Sequence, residues 1–106
     1  MKVSIVLPAK NESAAIGQTI AQIQLLQLAH EVIVVNDGST DQTKQVAESA
    51  GAKVVTHPYS KGNGAAIKTG ARTATGDIIV FMDADGQHDP QDIPLLLEKI
   101  KQGYDL

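Results

Sequence analysis

Short runs of apolar, often β-branched residues alternate along the chain with segments in which apolar residues recur at helical spacing. The segment after the first run carries Ile16, Ile20 and Ile23 in a stripe suited to packing one face of a helix. The apolar runs have the length of strands that are buried on both faces. They lie at residues 3–7, 32–35, 53–56 and 77–82. The pattern therefore predicts four successive units of a strand followed by a helix.

Residues that favour helix N-termini stand ahead of the first two helical segments. Asn11 or Ser13 can cap the first helix through a side-chain oxygen. Ser39, with Gln42 three positions later, has the pattern of a capping box and predicts a second helix over residues 41–50. Both predictions place the helix start a few residues after the end of a strand.

The later helices have different start signals. Gly62-Asn63-Gly64 is expected to open a third helix that runs through Ala71. Asp89 followed by Pro90 is a cap and first-turn pattern, and it predicts a fourth helix. The cap explains Asp89 fully without a ligand.

Strands that alternate with helices are joined by right-handed crossovers into a parallel sheet. The chain is therefore predicted to be α/β, with a Rossmann-like, mostly parallel sheet and helices on both faces. Ligands of such sheets bind outside the carboxyl ends of the strands, where the strand order reverses. Polar segments follow the first, second and fourth strands, at residues 8–12, 36–39 and 83–89. We expect these three segments to converge on one crevice.

Composition narrows the functional classes. The 106 residues suffice for one domain, and 42% hydrophobic with 20% charged residues is an ordinary globular balance. The formal net charge of -3 provides no basic field for a nucleic-acid backbone, so no nucleic-acid partner is expected. The absence of cysteine excludes disulfides and thiolate metal sites. No apolar run has the length of a signal peptide or a transmembrane segment, and a cytoplasmic location is expected.

Oxygen-bearing side chains alternate after the fourth predicted strand. Asp83, Asp85, Gln87 and Asp89 are of the type that Mg²⁺, Mn²⁺ or Ca²⁺ accepts. Two neighbouring carboxylates at a strand end repel each other unless a cation or solvent relieves them. We favour a metal site at Asp83 and Asp85; the alternative is that both are solvated turn residues.

Asp37-Gly38-Ser39 has two interpretations. The segment can be a turn that feeds a capped helix, which accounts for Gly38 and Ser39 without a ligand. Asp37, at a strand end in the predicted crevice, can instead accept hydrogen bonds from a base N–H or a ribose hydroxyl. The residues alone leave both interpretations open.

Lys61-Gly62-Asn63-Gly64 invites comparison with phosphate-binding loops, but neither common pattern is satisfied. A Walker loop needs glycine before Lys68-Thr69, and a dinucleotide fingerprint needs a small residue at the same position; Ile67 stands there. What remains is a basic residue beside backbone amides at a helix N-terminus, a nonspecific anion site. A turn permitted by glycine explains the segment equally well.

The three histidines, His30, His57 and His88, show no metal-ligand spacing among themselves. Each lies in or next to a predicted loop. We therefore expect all three to be surface residues; His88 differs in lying within the acidic cluster, where carboxylates favour its protonated form.

Four segments together resemble the inverting family 2 glycosyltransferases with a GT-A fold, closest to the dolichyl- or polyprenyl-phosphate mannose or glucose synthases. They cover nearly the whole chain in the right order and spacing. They read VSIVLPAKNE at 3–12, VIVVNDGSTD at 32–41, KGNGAAIKTG at 61–70 and GDIIVFMDADGQHDP at 76–90.

The resemblance implies roles for individual residues. Asp37 is expected to read the base or ribose. Asp83 and Asp85 correspond to the catalytic Asp-x-Asp carboxylates that bind Mg²⁺ or Mn²⁺ and the diphosphate, and Gln87 to a further metal ligand. The predicted nucleotide-sugar site comprises Pro8, Ala9, Asn11, Glu12, Asp37, Gly38, Lys61, Gly62, Asp83, Ala84 and Asp85.

The resemblance also implies an activity: metal-assisted, inverting transfer of a sugar from a UDP- or GDP-linked donor. A polyprenyl phosphate is a candidate acceptor, which would place the protein peripherally at the inner face of a membrane. Family members continue into an acceptor-binding half, so residues 1–106 correspond to the donor-binding part alone, and we expect weak nucleotide binding and little or no turnover. The donor base, the sugar and the oligomeric state stay open.

Two other functions are compatible with parts of the sequence. A sugar-phosphate nucleotidyltransferase should carry a glycine-rich basic loop directly after the first strand, but residues 8–12 contain no glycine. A non-catalytic nucleotide- or metal-binding module is the second alternative. Strong sugar transfer by the chain alone would contradict the donor-half interpretation.

Overall fold

A computed structural model describes residues 2–84 of the protein. In this part of the chain four parallel strands form one sheet in the order β3-β2-β1-β4. The elements are β1 Val3–Ala9, α1 Ile16–Leu25, β2 Glu31–Asp37, α2 Thr43–Ser49, β3 Lys53–His57, α3 Asn63–Thr73 and β4 Ile78–Phe81. None of these three helices has the length and apolar character needed to cross a membrane. The predicted α/β class is confirmed, and the helix expected after Asp89 lies outside the described residues.

Helices cover both faces of the sheet, because alternate residues of each strand point to opposite sides. On one face, Ile5 and Leu7 of β1 pack in the same cluster as the predicted stripe of α1 and Ala47 of α2. On the other face, a smaller cluster joins the central strands to α3. It consists of Val6, Ile33, Val35 and Ala66, all fully buried. The sheet is thus the middle layer of three.

Helix α3 approaches the sheet closely because it presents small residues. A Cβ atom added at Gly70 would collide with Cγ1 of Val6 and lie 3.4 Å from Cγ2 of Val35. Ala66, one turn earlier, is fully buried against the same face. Because the side chains at these positions are small, the N-terminal end of α3 can lie close to the carboxyl ends of the strands.

Strand β1 continues through Pro8 to Ala9, whereas the sequence predicted that it stops before the proline. The backbone explains why this is tolerated. The Val6 carbonyl accepts from Met82 N–H. The backbone N–H and C=O groups of even-numbered residues in β1 therefore point towards β4, and so does the nitrogen of Pro8. The ladder with β4 ends at the pair Val6–Phe81, so the proline nitrogen lies beyond its last pair.

Strands β2 and β3 also run further than predicted. Asp37 and His57 belong to the strands and face each other as the last registered pair of the β2–β3 ladder. The sequence had placed Asp37 in a turn and His57 in a loop. Polar side chains can end these strands because each finds hydrogen-bond partners; the Oδ1 atom of Asn36, for example, accepts from Ser39 N–H at 3.3 Å.

The caps predicted for the first two helices are wrong, and the cap predicted at Asp89 lies outside the described residues. Helix α1 is preceded by Ala15 and helix α2 by Gln42, and neither forms a side-chain capping bond. The polar residues expected there make other contacts. Asn11 has a φ of 54°, and Ser39 accepts from the Asn11 N–H. These side chains join loops rather than terminate helices, because partners from the neighbouring loop compete for the same groups.

Hydrogen bonds at the amino end of the sheet hold the segment that leads into β4. The Glu31 carboxylate accepts from the Ser4 hydroxyl at 2.6 Å and from both the N–H and hydroxyl of Thr75. The Ser4 hydroxyl in turn accepts from Gly76 N–H at 2.8 Å. The bond from Ser4 is the main reason that the pKa of Glu31 lies below its ordinary value. This cluster fixes where β4 begins, and therefore where the residues after it arrive.

Substitution of Gly70 by alanine tests the close packing of α3. The added methyl group has no room beside Val6, and overpacking of this kind costs about 1–3 kcal/mol, more than the gain of about 1 kcal/mol in helix propensity. We expect Gly70→Ala to lower the free energy of unfolding measured in urea. Gly64→Ala is the matched control in the same helix, because no atom lies within 4 Å of its added methyl. Equal stabilities of the two variants would contradict this packing.

Candidate functional site

Two adjoining cavities lie at the carboxyl ends of the strands, with Pro8 and Asn63 in the wall of both. They flank β1, whose neighbours β2 and β4 are reached by crossovers on opposite faces, so the strand order reverses there. The larger cavity, of about 250 Å³, is lined by Pro8, Ala9, Lys10, Asp37, Ser60, Gly62, Asn63 and Ala66. The smaller, of about 60 Å³, is lined by Pro8, Asn63, Ile67, Phe81, Met82 and Asp83.

Asp37 accepts four hydrogen bonds from within the chain. Its Oδ1 atom accepts from His57 Nδ1 and from Lys61 N–H, both at 2.8 Å. Its Oδ2 atom accepts from Gly62 N–H at 3.0 Å and from the Ser60 hydroxyl at 3.1 Å. An ionised carboxylate offers about four lone-pair sites. The carboxylate therefore holds the backbone of residues 60–62 over the end of β2.

These bonds decide the ionisation of Asp37. Burial by itself raises the pKa of the carboxyl group, but the bonds from Lys61, His57, Gly62 and Ser60 favour the charged form and lower the pKa to about 2. Asp37 is only 5% exposed. It is consequently a buried carboxylate that stays negative at neutral pH.

His57 is buried, in contrast to the expectation of a surface position. Its side chain is 7% exposed and lies between two partners. Nδ1 contacts Asp37, and Nε2 lies 2.8 Å from the Thr69 hydroxyl on α3. His57 thus ties the ends of β2 and β3 to the helix. His30 is exposed as predicted, and His88 lies outside the described residues.

Gly38 makes it possible for loop 59–62 to lie against β2. Its φ is 72°, and a Cβ atom there would collide with the Ser60 nitrogen and lie 2.7 Å from the Tyr59 carbonyl carbon. Glycine is therefore required by backbone conformation and by space. Within loop 59–62, the Lys61 ammonium lies 5.4 Å from the centre of the Tyr59 ring, which is a cation–π contact.

The loops after β1 and β2 hold each other through side-chain bonds to backbone. The Asn11 amide oxygen accepts from Thr40 N–H at 2.8 Å, while Asn11 N–H donates to the Ser39 hydroxyl at 2.9 Å. Two further backbone groups follow the same pattern: Glu12 N–H donates to the Thr43 hydroxyl and Ser13 N–H to the Asp41 carboxylate. These contacts shape the rim next to the larger cavity.

Asp83 is exposed and follows Met82 directly after β4. It lines the smaller cavity, so the described part of the predicted acidic segment does reach the crevice. Ala84 is buried. Asp85 and Gln87 lie outside the described residues. Among residues 2–84 no group of three side chains is placed to hold a metal ion, and Asp83 is the one predicted metal ligand in that range.

The structure brings together part of the predicted nucleotide site. Pro8, Ala9, Asp37 and Gly62 line the larger cavity, and Asp83 lines the smaller. The other described residues of the predicted site lie outside these linings. They are Asn11, Glu12, Gly38, Lys61 and Ala84.

Sequence reasoning missed several contributors, chiefly Lys10, Ser60 and Asn63 of the larger lining and His57 behind it. A signal for His57 did exist. It directly follows the third apolar run, and equal extension of the second and third strands would have set it beside Asp37. Ser60 and Asn63 gave no such signal, since their place depends on how loop 59–62 folds back.

Comparisons with known proteins identify relatives of the chain. A family model described as Glycosyl transferase family 2 matches residues 4–106. The dolichol-phosphate mannosyltransferase of Pyrococcus furiosus is 38% identical over 112 residues, covering 100% of this chain and 32% of that protein. The undecaprenyl-phosphate 4-deoxy-4-formamido-L-arabinose transferase of Sodalis glossinidius is 37% identical, covering 99% and 35%. The chain spans about a third of the length of these curated relatives.

A solved structure shares the architecture. The glucosyl-3-phosphoglycerate synthase of Mycobacterium tuberculosis, in complex with Mn²⁺, UDP-glucose and phosphoglyceric acid, matches with a TM-score of 0.85 and 37% identity. The match covers 96% of this chain and 40% of that one. It confirms the GT-A type of fold that the sequence motifs indicated. The family match also favours the glycosyltransferase interpretation over the nucleotidyltransferase alternative.

Replacement of Asp37 tests the electrostatic core of the site. In Asp37→Asn the amide cannot accept at both positions, so buried donors lose their acceptor, and we expect a loss of about 2 kcal/mol in unfolding free energy at neutral pH. The folded-state pKa is lowered from 3.8 to about 2. The stabilisation is therefore complete above the unfolded-state pKa and is lost as the pH falls towards the folded-state pKa.

Urea unfolding at several pH values measures this effect. The difference between wild type and Asp37→Asn should shrink as the pH falls from about 5 to about 2. Glu48→Gln, which removes an exposed carboxylate on α2, is the control and should change stability little at any pH. A difference between wild type and Asp37→Asn that does not vary with pH would show that the charge of Asp37 is not what holds the loop.

Proposed function

Because the chain belongs to glycosyl transferase family 2, we propose that it binds a nucleoside-diphosphate sugar, UDP- or GDP-linked, for transfer of the sugar to an acceptor. One observation carries the proposal: the paired cavities at the point of strand reversal, with Asp37 in the lining of one and Asp83 in the lining of the other. This is the place at which open parallel sheets bind nucleotides.

The larger cavity is the proposed nucleoside site. Pro8, Ala9 and Lys10 line it from the end of β1, and Ser60 and Gly62 form a second wall from loop 59–62. We assign Asp37 to the nucleoside as a lining carboxylate and as the group that holds this second wall. Asn11 and Glu12 contribute to the rim, where the loop contacts described above fix the backbone.

The remaining predicted contacts continue towards the diphosphate. Gly38 permits the close approach of the loop, and Lys61 supplies a positive charge on it. Gly62 lines the cavity just before the N-terminus of α3. The mycobacterial synthase that shares this fold was solved with UDP-glucose, which supports a uridine donor as one of the two candidates.

The donor set after β4 fits a divalent cation. Asp83 is an exposed carboxylate at the carboxyl end of a strand, and hard cations such as Mg²⁺ and Mn²⁺ take oxygen ligands. We assign Asp85 and Gln87 to the same ion from the sequence, with buried Ala84 as the spacer between the two acids. When bound, the ion neutralises charge that develops on the departing diphosphate. The solved mycobacterial relative contains Mn²⁺.

The proposed transfer is a single displacement with inversion. An acceptor oxygen forms a bond to the anomeric carbon while the bond to the diphosphate oxygen breaks, and that electron pair leaves with the nucleoside diphosphate. A phosphate acceptor is already ionised at neutral pH and needs little or no base. The names of the relatives point to dolichol phosphate, undecaprenyl phosphate or phosphoglycerate as acceptor chemistry. We favour a polyprenyl phosphate at a membrane surface, with the chain bound peripherally at its inner face.

Titration calorimetry of UDP-glucose and of GDP-mannose, each with and without Mn²⁺, tests the proposal. We expect one donor to bind in a manner that requires Mn²⁺, because the carboxylates and the diphosphate share one ion. Asp83→Asn and Asp85→Asn should each weaken this binding at least about tenfold, since even indirect partners of a metal contribute that much.

Asp77→Asn is the matched control, because Asp77 precedes the same strand at the opposite end and accepts from Lys2 N–H. It should leave nucleotide affinity unchanged. Binding that does not depend on Mn²⁺ and survives both substitutions would remove the proposed role of the acidic pair. If neither donor binds, the result would contradict the proposed function itself.

A further inference from the structure

A buried chain of side chains runs behind the larger cavity from β2 through β3 to α3. His57 lies at its centre, 2.8 Å from Asp37 Oδ1 on one side and 2.8 Å from the Thr69 hydroxyl on the other. His57 and Thr69 are not among the predicted site residues, and neither lines either of the two described cavities. Their placement therefore needs an explanation other than direct ligand contact.

The ionised state of Asp37 determines how the imidazole is oriented. A carboxylate can only accept, so Nδ1 of His57 carries the proton and donates to Oδ1. In the neutral ring Nε2 is then the acceptor, and the Thr69 hydroxyl donates to it. The bond from Nδ1 to Asp37 therefore has one direction, and the two ring nitrogens face different partners.

Loss of the His57 donor would act on the cavity wall through Asp37. The same oxygen that accepts from His57 also accepts from Lys61 N–H, and the other oxygen accepts from Gly62 N–H. Without the His57 contact the carboxylate keeps its three bonds to loop 59–62 but loses its bond to β3, so its soft terminal torsion is less restrained. The backbone of residues 60–62 would follow it, because within the described chain these bonds are what join loop and strand end.

We propose that His57 is a positioning residue: by donating to Asp37 it holds the backbone of residues 60–62 at the wall of the larger cavity, and nucleotide affinity depends on that placement. This inference rests on the proposed function and deepens it. It assigns to His57 no contact with substrate and no proton transfer. The alternative is that His57 merely fills space between two strands and a helix.

Two substitutions separate the bonds of His57. In His57→Asn the amide nitrogen stands close to the place of Nδ1, so the bond to Asp37 is kept and the bond to Thr69 is lost. In His57→Gln the amide nitrogen stands close to the place of Nε2, so the opposite bond is kept. Thr69→Val, of similar size, removes the Thr69 bond alone and is the matched control for His57→Asn.

Calorimetry with the better of the two donors and Mn²⁺ measures the effect on the site. We expect His57→Gln to weaken binding about tenfold, the worth of one hydrogen bond to a charged group. His57→Asn and Thr69→Val should remain within about threefold of wild type. Equal loss in His57→Asn and His57→Gln would show a packing role and overturn the proposal.

Amide hydrogen exchange of Lys61 and Gly62, followed by NMR without nucleotide, gives a second readout. Exchange of both amides should accelerate at least about tenfold in His57→Gln and little in His57→Asn, relative to core amides of β1. If wild type binds neither donor, the proposed function fails, while this exchange pattern still decides whether His57 positions the loop. Unchanged exchange in His57→Gln would overturn the positioning role even if nucleotide binding is intact.

Discussion

The hydrogen bonds to the Asp37 carboxylate are the interaction on which the arrangement of the carboxyl end of this sheet depends. It is buried and yet ionised, because four donors from β3 and from loop 59–62 surround it. A buried charge without such partners would be costly, and this cost favours the conformation in which the loop folds onto the strand end. Gly38 removes the steric obstacle to that approach. One wall of the larger cavity thus exists because a charge requires it.

The amino end of the sheet fixes the position of β4, and the carboxyl end carries the proposed site. At the amino end, Ser4, Glu31 and Thr75 bond the entry to β4 to the central strands. At the carboxyl end, the same strand delivers Asp83 to the smaller cavity. Because β4 spans four residues, Ile78–Phe81, its start determines the position of the acid that follows it. The placement of a proposed metal ligand is therefore set partly by contacts at the far side of the molecule.

The family assignment and the geometry support each other at different levels. Family membership accounts for the order of the motifs and for the fold shared with the mycobacterial synthase. The geometry adds what each motif does locally. Asn11 and Ser39, for instance, join two loops, whereas Pro8 and Ala9 line the cavity. Within one motif, some residues thus hold the loops of the site together and others line its cavity.

Local patterns were enough to predict the α/β class, the parallel sheet and the approximate extents of its elements, since periodicity and strand burial are properties of neighbouring residues. They also located Asp37 and Asp83 at strand ends. They did not predict the extension of β2 and β3 to Asp37 and His57, the burial of His57 or the mutual bonds of the loops. Those features join groups 20 or more residues apart, such as Asp37 with His57 and Asn11 with Thr40. Partners so distant in the chain are chosen by three-dimensional packing, in which a polar group takes the nearest complementary group that folding brings to it.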